Sequence, residues 1–490
     1  MKKRNIVFFH AESWDGRMLG GLGHPALKDA TPNIDRVARD GMFFPNTYTS
    51  HPLCCPARAN LWSGRYTHNC ESWNNYKGLE PRMWSLLDEL PRTHNLATFG
   101  KLDYRSGGHS MQARVSAWLG RANINRSSYA DDNAQDFSVA GDAEERCHKS
   151  DWDKIDKSIA FLEEQKKDES DRPFFLYVST GLVHPSFKTN RYWLEKIPEE
   201  AVDIPEKDDC DHPCIKFQRN SKSWRYGFDD DTVRQVRRIY FAMCAEADAM
   251  AGKVYEAMHR LGLAEDTYFI FSSDHGELAL EHRQYYKMSM YEASIRVPMI
   301  MTGPGIPAGG RTDNLVSLID LHPTMLEMGG MKGHGDCDGE SLLPLATGKT
   351  EQSRNSAYAM FSGTTMNTSA FMLRKDNWKY IAYVNYPPQL FDIEKDPGEL
   401  NDLSEQKPEI VREMDAELRD IVDYEKTDRD VTAYCKESFR QWRRQAKRGL
   451  YVDNSYSLQN NPSSDYWKIM DNCFAGYNGD DEAGIEKWLG

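Results

Sequence analysis

The 490 residues are 40% hydrophobic and 11% aromatic, enough to bury a large core and to fill more than one domain. With 61 basic against 75 acidic side chains the net charge is -14, which argues against nucleic acid or an anionic membrane as partner. An anionic substrate would then need a locally basic pocket set against the global field, and no apolar run is long enough to cross a bilayer.

The chain begins Met1-Lys2-Lys3-Arg4, and only Ile6-Val7-Phe8-Phe9 follow before His10 and Glu12. That apolar stretch is too short for a secretory leader and reads as a first core strand over residues 5–9. The expectation is a cytoplasmic protein if Met1 is the native start, and an exported one if a leader precedes it. Thr31-Pro32-Asn33 opens a helix, with the threonine as N-cap and proline at the first helical position. A strand over residues 41–44 leads into a loop, and Pro56 suits the first turn of a helix starting near Cys54. The amides of that turn would face whatever sits at residue 54.

Further along, residues 173–178 form another central strand, with His184-Pro185 just beyond its end. Residues 186–228 read as an irregular insertion. From residue 231 to 258 apolar side chains recur at spacings of three and four (Val233, Val236, Tyr240, Met243, Ala247, Met250, Val254, Met258), the mark of one long amphipathic helix. Residues 268–272 make a strand that ends at Asp274-His275-Gly276, and residues 297–301 make one more. Strands alternating with helices, with polar residues at the strand C-termini, predict an α/β fold: a large, mostly parallel sheet flanked by helices, with the site at that edge. After about residue 350 the pattern changes to a hairpin over residues 369–374 and 378–383 and a helix over residues 408–424. The division expected is therefore a catalytic domain over residues 1–350 and a smaller α+β subdomain over residues 351–490.

The 10 cysteines are scattered and form no disulfide framework. Cys210, His212 and Cys214 have the look of a metal knuckle, but a second pair is missing and three aspartates surround them, so a polar loop is the reading preferred.

Three separated polar clusters could converge on one site: Glu12, Ser13 and Asp15 after the first strand; Asp274 and His275; and the basic set Arg58, Lys101, His184 and Lys287. Hard oxygen ligands around a divalent cation would hold an anionic substrate oxygen, and the cationic side chains would neutralise charge that grows in a transition state. Each cluster alone is unspecific. The decisive stretch is Cys54-Cys55-Pro56-Ala57-Arg58-Ala59-Asn60-Leu61-Trp62-Ser63-Gly64-Arg65.

This cysteine, proline and arginine spacing, closed by Ser-Gly-Arg, resembles the signature of the sulfatases of the alkaline phosphatase superfamily. The resemblance extends through Asp15-Gly16-Arg17, Glu71-Ser72-Trp73-Asn74-Asn75-Tyr76-Lys77-Gly78-Leu79, Gly100-Lys101-Leu102-Asp103-Tyr104 and the segment 273–294, and runs into the C-terminal part at Trp378-Lys379-Tyr380. It implies that a maturing enzyme oxidises Cys54 to Cα-formylglycine, whose hydrated aldehyde attacks sulfur with one oxygen and collapses through the other. It further implies that Arg58 steadies that group, that Lys101 and Lys287 bind sulfate, and that His184 contacts the ester oxygen as general acid. Glu12, Cys54, Asp274 and His275 would bind Ca2+, with Mg2+ as alternative and some room for a transition metal because of the imidazole nitrogen. The implied substrate is a sulfated carbohydrate or aryl sulfate ester, a 2-O-sulfated uronate in particular.

Two departures from the family pattern stand out. Glu12-Ser13 replaces the usual pair of aspartates, with Asp15 as a substitute ligand ranked below Glu12. Asp103 stands where many sulfatases carry a histidine, which makes it a candidate base or the residue that orients His109. Two other functions compete: hydrolysis of a phosphonate or phosphodiester with the same nucleophile, and, without maturation of Cys54, binding of a sulfated glycan with no cleavage.

Overall fold

The run Asn5–Ala11 is buried from Ile6 onward because it is the middle of a sheet with helices on both faces. In this computed structural model, which describes residues 4–107, 111–124, 137–222, 227–351, 353–363, 366–452 and 463–490, Val7 pairs in parallel with Leu176 on one side and Phe269 on the other. Among the described residues the sheet has seven strands, in the order Gly310–Arg311, Met42–Phe43, Met299–Thr302, Thr267–Ser273, Asn5–Ala11, Phe174–Ser179, Asn95–Gly100. The last four are mutually parallel, while Met299–Thr302 runs antiparallel to Thr267–Ser273.

Alternation along the strands assigns each side chain to a layer. Val7, Phe9, Leu176, Val178, Phe269 and Phe271 pack with the long helix Asp230–Arg260. Ile6, Phe8, Phe175, Tyr177 and Ile270 face the other way, against Leu61 and Trp62 of the helix Cys54–Ser63. Burial on both faces is why these strands read as unbroken apolar runs rather than alternating ones.

Several expectations need correction. The helix Pro32–Asp40 does start at Pro32, but the Thr31 hydroxyl accepts from the Gly20 amide and not from its own helix. The cap comes from the long helix, where the Asp248 carboxylate accepts from the amides of Asn33 and Ile34 at 3.2 and 2.7 Å. The strand expected over residues 297–301 is broken at Pro298, which has no N–H to give a ladder. Arg296–Val297 pairs with Thr47–Tyr48, and Met299–Thr302 joins the large sheet. The insertion 186–228 is more ordered than read: it holds a strand, Phe187–Asn190, parallel to Phe137–Ala140, and a helix, Pro213–Ser221.

Beyond residue 355 the chain forms a four-stranded antiparallel sheet in sequential order, Ser356–Phe361, Ala370–Lys375, Trp378–Tyr383 and Tyr386–Asp392. The helix expected over residues 408–424 ends at Ile421; Asp423 then caps a second helix, Tyr424–Ala446, by accepting from the Lys426 amide. The first helix covers this sheet, and the second packs on the helix Met111–Leu119 with its first residue, Tyr424, stacked on Phe371. Lys379, fully buried in its third strand, pairs with Glu399 at 2.6 Å and Glu292 at 2.8 Å and so ties this sheet to the end of the segment 273–294. Among the described residues no helix is long and apolar enough to cross a membrane.

Candidate active site

The four parallel strands all end at one edge, and each is followed at once by a polar residue aimed at the same place. Glu12 follows Asn5–Ala11, Lys101 follows Asn95–Gly100, Asp274 follows Thr267–Ser273, and Ser179 closes Phe174–Ser179 ahead of His184. Two glycines let the backbones come this close. A Cβ on Gly100 (φ +109°) would lie 1.9 Å from the Ser179 carbonyl oxygen, and one on Gly276 would lie 1.9 Å from that of Ala293.

Cys54 is the first residue of its helix and is 2% exposed. Its Sγ lies 3.4 Å from Glu12 Oε1 and 3.2 Å from His275 Nε2. The amide of Cys55 does not face residue 54; it donates to Asn75 Oδ1 at 3.0 Å. One turn on, Arg58 is wholly buried, and its Nε donates to Asp274 Oδ2 at 2.8 Å. Its Nη1 donates to the Lys101 carbonyl at 2.6 Å, to Tyr177 Oη at 3.0 Å and to Ser179 Oγ at 3.1 Å. Lys101 Nζ sits 2.5 Å from Glu12 Oε1 and 3.3 Å from Asp103 Oδ2. Lys287 Nζ lies 2.6 Å from His184 Nε2, and the other ring nitrogen of His184 contacts the Pro185 carbonyl.

The charges move one another's ionisation. Burial pushes the Cys54 thiol up, but Lys101, Lys287 and His275 outweigh it and carry the thiol well below its ordinary range. Burial likewise raises the Glu12 carboxyl, yet Lys101 and His184 hold it far below a normal glutamate. Asp274 is buried too, and the charge of Arg58 keeps it firmly ionised. Burial, and after it the charge of Arg58, takes His10, beneath the site, down to about 3, so it is a neutral ring bonded through Nδ1 to Tyr177 Oη at 2.7 Å.

Glu12, Cys54, Lys101, His184 and Lys287 line one cavity of about 460 Å³, together with Asn75, Gly181 and Pro185. Donor atoms of Cys54, Asp274 and His275 lie within 4.8 Å of one another, as do those of Glu12, Cys54 and His184. Cys54 is thus common to both sets. Glu12 lies 3.4 Å from its sulfur, so the four residues expected as ligands gather around residue 54, with oxygen donors from Glu12 and Asp274 and a nitrogen donor from His275 that could hold a divalent cation. Asp15 is excluded from that role, because its carboxylate is held by Arg17 at 2.7 Å and its amide donates to Tyr240. Cys210, His212 and Cys214 form no metal group: Cys210 accepts from Gln389, while the His212 ring bonds the Pro387 carbonyl and the Cys214 amide. His109 lies outside the described residues.

Reading the sequence missed Tyr177 and Ser179, which hold Arg58, and Asn75, which takes the helix's free amide. Asn75 lay in a stretch that carried the resemblance, but nothing in its type marked a role; Tyr177 and Ser179 looked like ordinary strand residues.

The profile of the family described as Sulfatase matches residues 4–331. The chain belongs to the sulfatase family. A second profile, described as N-sulphoglucosamine sulphohydrolase, C-terminal, matches residues 280–424. The sulfatase is 39% identical over 479 residues to arylsulfatase K of Homo sapiens, covering 90% of this chain and 86% of the human one. It is 36% identical over 465 residues to arylsulfatase K of Danio rerio, covering 90% and 87%. With that relationship the sulfatase is a sulfuric ester hydrolase of the arylsulfatase type.

Solved structures share its fold at lower identity. A phosphonate monoester hydrolase of Agrobacterium radiobacter superposes with TM-score 0.69 at 22% identity, over 85% of this chain and 95% of that one. A structure described as a 2-O GAG sulfatase gives 0.63 at 21%, over 90% and 94%. One solved with its substrate D-glucosamine-2-N,6-O-disulfate gives 0.67 at 18%, over 88% and 99%.

Proposed function

We propose that this sulfatase hydrolyses the sulfate ester of a sulfated sugar, a 2-O-sulfated uronate, with residue 54 as the group that takes up the sulfuryl. One observation carries the reading: the side chain of residue 54 stands in a cavity of about 460 Å³ walled by Lys101, His184 and Lys287. Three cationic or proton-carrying groups around one nucleophile suit the negative charge spread over the sulfuryl and leaving oxygens in an in-line transition state. The relatives named arylsulfatase K and the fold shared with a 2-O GAG sulfatase support the substrate class.

Cys54 oxidised to Cα-formylglycine by a maturing enzyme would supply an aldehyde hydrate, one hydroxyl for attack on sulfur and a second to expel sulfate. A cation held by Glu12, residue 54, Asp274 and His275, Ca2+ or else Mg2+, would supply Lewis acidity toward a sulfate oxygen.

The remaining chemistry belongs to the chain. Arg58, fixed by Asp274, Tyr177 and Ser179, keeps a guanidinium one helical turn from residue 54 and has a buried Nη2 with no partner among the described residues, a donor suited to an oxygen at residue 54. Lys101 and Lys287 neutralise the sulfuryl oxygens. His184 Nε2 and Lys287 Nζ, 2.6 Å apart, share one proton, which this pair would pass to the leaving sugar oxygen. Asp103, 3.3 Å from Lys101 Nζ, takes the proton when the second hydroxyl collapses.

The test pairs a mass with a rate. The peptide bearing residue 54 should be about 18 Da lighter than its cysteine form, and only the lighter fraction should release sulfate from a 2-O-sulfated uronate. Full turnover by protein with an intact thiol would end the proposal. The fold shared with the phosphonate monoester hydrolase favours one rival reading, which faster hydrolysis of an aryl phosphonate ester than of the aryl sulfate would establish instead.

A further inference from the structure

Beside the sulfate-binding groups stands a second cation that the chemistry above does not use. Lys222 ends the helix Pro213–Ser221 and lies over the ring of Tyr286, 5.5 Å from its centroid. Lys287 lies over the same ring at 5.7 Å, and the His184 ring is 5.8 Å from it. Tyr286 is therefore the ring that Lys222 shares with the sulfate-side Lys287 and His184.

The arrangement is fixed in place. Buried Gln218, one turn before Lys222, donates to the Met288 carbonyl, and the Met288 amide donates to the Pro52 carbonyl at 3.2 Å, two residues before Cys54. The helix that carries Lys222 is thereby tied to the loop that carries Lys287 and to the approach to the nucleophile.

Among the described residues Lys222 pairs with no carboxylate; its one side-chain contact is the tyrosine ring. Burial, and after it repulsion from Lys287, lowers its ammonium to about 8. A partly buried ammonium facing a second ammonium costs stability unless an anion arrives. In a chain with 75 acidic side chains, an unpartnered lysine next to the active-site cavity marks a place kept for an anion from outside.

We propose that Lys222 is a specificity residue that binds the carboxylate of the substrate, a second anionic group next to the sulfate ester. This rests on the reading of the substrate as a sulfated uronate. A single ammonium suits a carboxylate as a point charge.

The experiment uses the matured full chain and three probes: a 2-O-sulfated uronate, its carboxyl-reduced analogue and an aryl sulfate without a carboxylate. In wild type the uronate should have a kcat/KM about ten- to hundredfold above the reduced analogue, the worth of one charge-assisted contact. Lys222→Met should remove that preference, mainly through KM, and change aryl sulfate turnover less than about twofold. Lys222→Arg should restore part of it. An equal loss on all three probes, or an undiminished preference in Lys222→Met, overturns the assignment. So does a wild type that cleaves both sugars equally, a result that leaves the sulfatase reading standing. A wild type that cleaves the aryl sulfate and neither sugar instead overturns the uronate reading, and the role of Lys222 with it.

Discussion

Arg58 and Asp274 meet with both side chains wholly out of water, Nε to Oδ2 at 2.8 Å, and the pair joins the nucleophile's helix to the end of a central strand. Two opposite charges in that setting cancel only while both are present. Removing one leaves the other buried without compensation.

Arg58→Met should therefore lower the free energy of unfolding by about 3–5 kcal/mol. Arg58→Lys keeps the charge but cannot reach Asp274, Tyr177 and Ser179 together as the guanidinium does. It should fold, with kcat on an aryl sulfate down about a hundredfold. Denaturant titration and steady-state rates on the two variants read these effects; an Arg58→Lys enzyme at wild-type speed would show that the arginine is only a brace.

His51 gives the stability a pH dependence. It is fully buried against Phe361, neither ring nitrogen has a partner, and burial, then the neighbouring His275, lowers it from 6.5 to about 3. Between those values the unfolded state binds the proton and the folded state does not, so stability falls as pH falls. From pH 6.5 to pH 4.5 the loss from this one group is about 2.3 kcal/mol. His51→Phe should lose that much less over the same interval in urea melts at the two pH values; an identical loss would mean that His51 is charged in the folded protein.

Asp103 holds a left-handed backbone (φ 39°) with its carboxylate against Lys101. Asp103→Asn keeps the shape and removes the base. We expect kcat to fall at least about tenfold, a typical general-base contribution being larger still, while inhibition by inorganic sulfate stays within about threefold. Unchanged turnover would dismiss the role.

Chelation separates the ligand set from the rest. Dialysis against a strong chelator should abolish turnover, and Ca2+ should restore it. Asp274→Asn removes one anionic oxygen from the cage and sets a neutral amide against Arg58, so metal analysis should find well under one ion per chain, with affinity down at least about tenfold. Full metal content in that variant would place the ion elsewhere.

The sheet and the site were legible to different depths. Three of the four parallel strands could be read because burial on both faces makes runs such as residues 173–178 continuously apolar, and the long helix because its stripe recurs over some thirty residues; Asn95–Gly100, only half-buried at the sheet's edge, was not read as a strand. Cys54 and Lys101 were found through the motifs that carried the resemblance, and Asp274 through its place at the end of a strand. The break at Pro298 was also written in the sequence, as a proline inside an expected strand. The capping of Asn33 and Ile34 by Asp248 was not, since the partner lies more than two hundred residues away. The same holds for Tyr177 and Ser179, whose hydroxyls acquire meaning only when Arg58 arrives from another layer. In residues 186–228 the strand Phe187–Asn190 escaped notice because four residues carry too little periodicity.

Four neighbouring strands each hand over a chemical group at the first residues past the sheet. Deleting one residue within any of them would draw that group back by about 3.3 Å and turn it to the opposite face. Lengthening the chain farther out, between the last site residue of a loop and the next helix, would leave those distances untouched. Indels should thus be lethal on one side of the sheet's edge and freely accepted on the other, so that new sugars can be accommodated by growing the outer loops while the sulfuryl-handling centre stays the same.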